Sequence, residues 1–194
     1  MAWHGRPQLA ESEMFARTKR LTLRPHWPED AQAITQAIAH ERVVTRLSRV
    51  PWPYTQADAA GWLARPRAEG DISLSILAHE GATPRLVGGI GLHPAEDLGG
   101  HEIGYWLTPD AWGRGYATEA GHAMLGIARW AIGLKRLNAR HFLDNPDSAK
   151  VLGKLGFRPV GRGKQFCLAR GTDVECATLE LTFEGEPSRM PIAA

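Results

Sequence analysis

The sequence predicts an α+β domain: a mixed, mostly antiparallel sheet of about six or seven strands with about four helices on its faces. Three observations carry this expectation. Apolar residues alternate with period two in TKRLTLRP (18–25), ISLSILAH (72–79), HEIGYWL (101–107) and RLNARHFLD (136–144). They recur at helical spacing in PEDAQAITQAIAHERV (28–43) and from Ala117 to Ala131. The two patterns interleave, and the turn signals between the middle strands are short enough for antiparallel connections.

Each element has a local reason. TKRLTLRP places Leu21 and Leu23 on one face of a strand ended by Pro25. Pro28, Glu29 and Asp30 suit the first turn of a helix. SRVPWPYT (48–55) holds two prolines around a tryptophan and reads as a loop, with Thr55 as N-cap of a second helix in TQADAAGWLAR. Three strands follow, at ISLSILAH, RLVGGIGLH (85–93) and HEIGYWL, with HPAEDLGG as the last turn. Gly104 inside HEIGYWL suggests a bulge or a close backbone approach. The next helix begins near Ala117 and is closed by Gly133. NPDSAKVLGKLG (145–156) is a well-marked helix, with Asn145 as N-cap, Pro146 at its first position and Gly156 as its stop. Strands near 160–169 and 174–183 form a closing hairpin around RGTD. If Arg170 to Asp173 makes that turn, Cys167 faces Cys176.

The 194 residues suit one domain, expected over 16–183, with flexible segments at 1–15 and 184–194. A net charge of +2 gives no bulk electrostatic reason to bind nucleic acid. No apolar run is long enough for a membrane helix, and MAWHGRPQLAESEMF lacks the apolar stretch of a secretory leader. Two cysteines make no disulfide framework, so a cytoplasmic protein is expected. Eight histidines, among them His93, His101, His122 and His141, show no tight ligand spacing, and no metal is expected. The seven tryptophans have no fixed period, which excludes a repeat array.

The most informative stretch is WLTPDAWGRGYATEA (106–120). It is not a Walker loop, because no Lys-Ser or Lys-Thr follows the second glycine. It is a poor dinucleotide fingerprint, because Thr118 stands where a third small residue belongs. What remains is a helix start whose small residues Gly113, Gly115 and Ala117 let an anion reach free N–H groups, with Arg114 adding positive charge. A pyrophosphate suits such a site.

Together with TKRLTLRPHWPEDA, VPWPYTQADAAGWL, LVGGIGL, HEIGYWL and LDNPDSAKVLGKLGF, this stretch resembles the GCN5-related N-acetyltransferases (GNAT), in their ribosomal-protein N-terminal (RimJ/RimL-like) branch. The resemblance covers roughly residues 17–183. It implies the GNAT fold, acetyl-CoA as cosubstrate, and direct attack of a primary amine, on a protein N-terminus or a small molecule, upon the acetyl group. It implies a phosphate loop formed by Trp112, Gly113, Arg114, Gly115, Tyr116, Ala117 and Thr118. The main chain of Trp106 and Leu107 would pair with the pantetheine as an added strand, one N–H polarising the acetyl carbonyl. Glu102 is the candidate base. Asn145 would hold the pantetheine amide, and Ser148 would protonate the departing thiolate. Lys150, which shares a helical face with Lys154, would meet the ribose phosphate. PWPY (51–54) would wall the acceptor pocket. A monomer or homodimer is expected. The rival reading is an inactive acyl-CoA-binding sensor or interaction module of the same fold.

Overall fold

The computed structural model describes residues 15–183. The expected terminal segments, Phe15 apart, lie outside these residues. One eight-stranded sheet runs in the order β1-β2-β3-β4-β5-β6-β8-β7. Its strands are β1 (Ala16–Arg17), β2 (Leu21–Pro25), β3 (Ile72–Ala78), β4 (Arg85–Ala95), β5 (Gly100–Leu107), β6 (Arg136–Phe142), β7 (Arg158–Cys167) and β8 (Thr172–Thr182). Every pairing is antiparallel except β5 with β6. The five α-helices are α1 (Ala31–Ile38), α2 (Glu41–Val44), α3 (Gln56–Leu63), α4 (Tyr116–Gly126) and α5 (Pro146–Lys154).

Strand alternation divides the core in two. On one face Leu23, Leu74, Ile76, Ile90, Leu92, Ile103 and Leu137 pack against Ala120 and Met124 of α4 and Leu152 of α5. On the other face Trp106 joins Ile34 and Ile38 of α1 and Ala59 of α3. The sheet is thus a middle layer with helices on both sides, consistent with the expected class.

Local signals place most element ends. Thr55 caps α3 in a reciprocal box: its hydroxyl accepts from the Asp58 N–H, and the Asp58 carboxylate accepts from the Thr55 N–H at 2.8 Å. Asn145 caps α5, accepting from the Ser148 N–H at 3.3 Å, with Pro146 in the first turn. Gly133 ends the α4 region in a left-handed conformation, after a π-helical segment at Ile127–Ile132.

Four expectations need correction, the first being the strand count, which is eight rather than six or seven. The helix expected over 28–43 is a 3-10 turn at Pro28–Asp30, then α1, then α2, because His40 is extended (φ −123°, ψ 124°). Gly104 is no bulge; it pairs with Gly91 in unbroken register. The close approach lies at Gly88 instead, where a Cβ would sit 2.2 Å from the Trp106 carbonyl oxygen. The β7–β8 turn comes two residues early: Cys167 faces Thr172, and Cys176 faces Gly163. Both cysteines are buried and free, with Phe142 beside them.

Candidate active site

β5 and β6 share only two cross-strand pairs, Glu102 with Asn138 and Ile103 with Ala139. Beyond them the strands part and a cleft of about 510 Å³ opens. Gly104–Leu107 line one side and Arg140–Phe142 the other, with the α4 start and the inner face of α5 closing it. α2 and the residues after it contribute Val43, Arg46, Leu47 and Ser48.

The parting frees main-chain groups. Thr108 N–H donates to the Val87 carbonyl at 2.8 Å, and β4 and β5 stay in register. Antiparallel alternation therefore turns the main chain of Trp106 towards β4 and that of Tyr105 and Leu107 away from it, into the cleft. Trp106 is part of the cleft lining, but its main-chain groups turn towards β4, and the groups of the strand that face the gap are those of Tyr105 and Leu107. The Leu107 carbonyl is already used, accepting from Trp112 Nε1 at 2.8 Å.

The glycine stretch folds as its composition requires. Gly113 and Gly115 have φ of 73° and 79°, where a Cβ is strained. Gly115 stands at the N-cap of α4, and no side chain caps that end. The first-turn residues Tyr116, Ala117 and Thr118 line the cleft with Trp112, Gly113 and Gly115.

Arg114 does not line it. Its guanidinium pairs with Glu80 in the β3–β4 turn, and its carbonyl accepts from Arg20 Nη1 at 2.9 Å. The Tyr116 hydroxyl also donates to Glu80, at 2.5 Å. The Tyr116 bond foremost, then that of Arg85 at 3.1 Å and that of Arg114, hold the Glu80 carboxyl down at about 2. Arg114 thus braces the loop from outside.

Glu102 and Ser148 both reach the cleft. Glu102 is not free as an isolated base would be. Arg140 Nε lies 3.2 Å from each of its oxygens, and Nη2 lies 2.7 Å from Oε2. Arg140 also bonds Asp97, and the two carboxylates, Glu102 foremost, raise the guanidinium further above its ordinary range. Ser148 Oγ sits 2.8 Å from the Tyr105 hydroxyl. Burial pushes that phenol up to about 12, so it stays protonated.

Asn145 lines the cleft, but its oxygen is taken: Arg46 Nη1 donates to Oδ1 at 2.9 Å. Arg46 also approaches Asp147 at 3.7 Å, and the Arg42 and Arg46 guanidiniums stand 5.0 and 5.4 Å from the Trp112 ring centroid. α2 is thereby fastened across the cleft to α5. Lys150 and Lys154 line the outer part, Lys150 pairing loosely with Asp147 at 3.5 Å. The PWPY loop does not line the cleft; Tyr54 packs among α1 and α3, and Trp52 is exposed.

Tyr105, Arg46 and Arg140 were not anticipated from the sequence. Tyr105 carried a usable signal, its place beside Trp106 on the strand leading into the glycines. Arg46 and Arg140 carried none, because their partners are 99 and 38 residues away.

Among the described residues no cluster of His, Cys, Asp and Glu could hold a metal ion, and no helix is long and apolar enough to cross a membrane.

Known proteins share this family and fold. The family model described as "Acetyltransferase (GNAT) domain" matches residues 20–158. The chain is 30% identical over 158 residues to the uncharacterized N-acetyltransferase p20 of Bacillus licheniformis, covering 79% of this chain and 88% of that protein. It is 36% identical over 91 residues to the uncharacterized N-acetyltransferase YoaA of Bacillus subtilis (strain 168), covering 46% of this chain and about half, 51%, of that one. The microcin C7 self-immunity acetyltransferase MccE, solved with acetyl-CoA and AMP, shares the fold with a TM-score of 0.71 at 16% identity, over 86% of this chain and 94% of that one. The chain belongs to the GNAT family of acetyltransferases.

Proposed function

We propose that this protein transfers the acetyl group of acetyl-CoA to a primary amine, and that the amine is a protein N-terminus. One observation carries the reading: the parted strands expose main-chain groups of Tyr105 and Leu107 in a cleft that leads to an uncapped helix start and a paired Tyr105–Ser148 hydroxyl. The residues present fit acetyl-CoA. A Cβ at Gly113 would meet nothing within 4 Å, so the loop offers open space for an anion beside the α4 N–H groups. The main-chain groups of Tyr105 and the N–H of Leu107 suit the amides of a pantetheine arm, while the Leu107 carbonyl is held by Trp112.

Acetyl-CoA supplies an activated acyl group and a thiolate leaving group. The chain's own residues do the rest. The first-turn N–H groups of α4 hold the pyrophosphate. In this reading the Leu107 N–H polarises the acetyl carbonyl. Ser148 Oγ donates a hydrogen bond to the departing sulfur, and Tyr105, protonated at all working pH values, resupplies it. Arg46 fixes Asn145 and so the start of α5. The Glu102–Arg140 pair closes the narrow end of the cleft. Lys150 lies at the outer end, where a ribose phosphate would extend.

The protein N-terminus as acceptor rests on the motif resemblance of WLTPDAWGRGYATEA and LDNPDSAKVLGKLGF to ribosomal-protein N-terminal acetyltransferases. Incubation with acetyl-CoA and a thiol reagent, across free N-terminal peptides and small primary amines, tests both levels. Thiol release with peptides supports the full reading, and release with small amines alone moves the acceptor class. Tight CoA binding without release on any acceptor would favour an acyl-CoA sensor.

A further inference from the structure

The sheet face that carries Trp106 is almost bare of side chains at its centre. In cross-strand register β4 contributes Gly89, Gly91 and His93, and β5 contributes Trp106, Gly104 and Glu102. Gly91 faces Gly104, His93 faces Glu102, and Gly104 is part of the cleft wall. The His93 ring lies over this bare strip. A Cβ at Gly91 would fall 2.8 Å from its Nε2, and one at Gly104 would fall 3.7 Å from the same atom.

The other ring nitrogen is occupied. His93 Nδ1 lies 2.7 Å from Asp71 Oδ1, just before β3. A carboxylate on Nδ1 keeps the hydrogen there, which leaves the Nε2 lone pair facing the strip. The side chains of His93 and Asp71 remain 34% and 22% exposed, so water and a substrate can reach them. Burial opposes ionisation of Asp71, but the His93 bond and the charges of His93, Arg67 and Arg49 outweigh it and hold the carboxyl below its ordinary value. Glu102, by contrast, is bonded by Arg140 on both of its oxygens.

We propose that His93, positioned by Asp71, is the proton acceptor for the incoming amine, and that the Glu102–Arg140 pair frames this site. The proposal rests on the acetyl-transfer reading. An ammonium over Gly104 gives one proton to His93 Nε2. The freed nitrogen lone pair forms the C–N bond to the acetyl carbon, and the C–S bond breaks. The second amine proton is lost as the thiolate gains one through Ser148, so an amide and a free thiol result. The imidazolium, flanked by Asp71 and Glu102, returns its proton to water through its exposed edge. Asp71 on Nδ1 and Glu102 across the strand pair face the ring, Arg140 acts through Glu102, and Arg67 and Arg49 act through Asp71; the other titratable neighbours are His101, beside Gly70, and His26, which bonds Ser73 opposite Gly91.

The test compares full-length wild type with His93→Gln, Asp71→Asn and Glu102→Gln. The probes are acetyl-CoA with a hexapeptide bearing a free N-terminal serine, a second with N-terminal alanine, and spermidine. Thiol release is followed from pH 5.5 to 9.5, and acetyl-CoA affinity is measured separately by calorimetry. Wild type shows an acidic limb in kcat/KM. His93→Gln lowers kcat by about 10²-fold at neutral pH, loses that limb, recovers as the amine loses its own proton at high pH, and leaves acetyl-CoA affinity unchanged. Asp71→Asn shifts the limb to lower pH, because removing the carboxylate disfavours the imidazolium. Glu102→Gln retains the limb. Survival of the wild-type limb in His93→Gln overturns the proposal and leaves the transfer reading standing. If His93→Gln does not fold, an unmoved limb in Asp71→Asn overturns it instead. Wild type that binds acetyl-CoA but acetylates none of the three probes overturns both.

Discussion

Gly113 and Gly126 form a matched pair that tests how the phosphate loop is built. A Cβ at either would meet nothing within 4 Å, so steric contact is the same for both. Only the backbone differs. Gly113 has φ of 73°, while Gly126, at the end of α4, has φ of −60°. Forcing an alanine into the left-handed region costs about 1–2 kcal/mol. In a helix the same substitution gains about 0.8–1 kcal/mol. For a domain of this size about 1 kcal/mol moves the Tm by roughly 2–4 °C. Gly126→Ala should therefore raise the Tm by about 2–4 °C. In Gly113→Ala the strain is divided between two observables. If the loop keeps its shape, the Tm falls by roughly 2–8 °C. If the free loop relaxes, CoA binding must restore the turn and weakens by up to about 5- to 30-fold. Thermal scans and calorimetric CoA titrations read the two shares, which should sum to about 1–2 kcal/mol. Gly113→Ala with unchanged Tm and unchanged CoA affinity would refute the loop's role.

Four further outcomes follow from particular contacts. Ser148→Ala should lower kcat by about 10²-fold with little change in KM for acetyl-CoA, and wild-type turnover would exclude the proton-donor role. Arg46→Met removes a charge-assisted bond to Asn145, so KM for acetyl-CoA should rise by about fivefold or more, while Tm changes little because the side chain is partly exposed. Asp30→Ala leaves Arg24 buried without its bidentate partner and should cost about 3–5 kcal/mol by urea unfolding. Burial, seconded by Arg67, holds His26 down from 6.5 to about 3. Between those values the unfolded chain binds a proton that the folded chain refuses, so stability falls as pH drops through 6.5, by up to about 1.4 kcal/mol per unit, until about pH 3. His26→Gln should remove that slope from urea midpoints measured between pH 7 and 4.

What the sequence revealed was local. Thr55 and Asn145 were legible as N-caps, each acting through a bond that spans three residues, and the structure follows both. The glycines at 113 and 115 marked a helix start open to an anion, and the structure adds that both take left-handed φ values that few other residues adopt. The failures share one cause, the register between distant segments. A hairpin turn displaced by two residues moved Cys176 from Cys167 to Gly163. Nothing near His40 marks the break between α1 and α2, since Ala39 and His40 sit inside a pattern that continues at helical spacing. Glu102 was visible as an acid on the strand before the glycines, but Arg140 reaches it from across a parallel pairing that alternation alone does not align. The contact of Ser148 with Tyr105 spans 43 residues, and that of His93 with Asp71 spans 22. Such contacts appear only once the strands are docked.

The two-rung pairing of β5 with β6 also has a mechanical meaning. It divides one sheet into a five-strand leaf, β1 to β5, and a three-strand leaf, β6 to β8, sewn together at Glu102–Asn138 and Ile103–Ala139. The Arg140 clasp on Glu102 and Asp97 reinforces the stitching at one end, and the Arg46 strap to Asn145 spans the other. On the proposed reading, a guest lying between the leaves would make main-chain bonds in the gap and so serve as the missing part of the seam. Occupancy then shows not only as heat of binding but as slowed amide hydrogen exchange along the inner edges of both leaves.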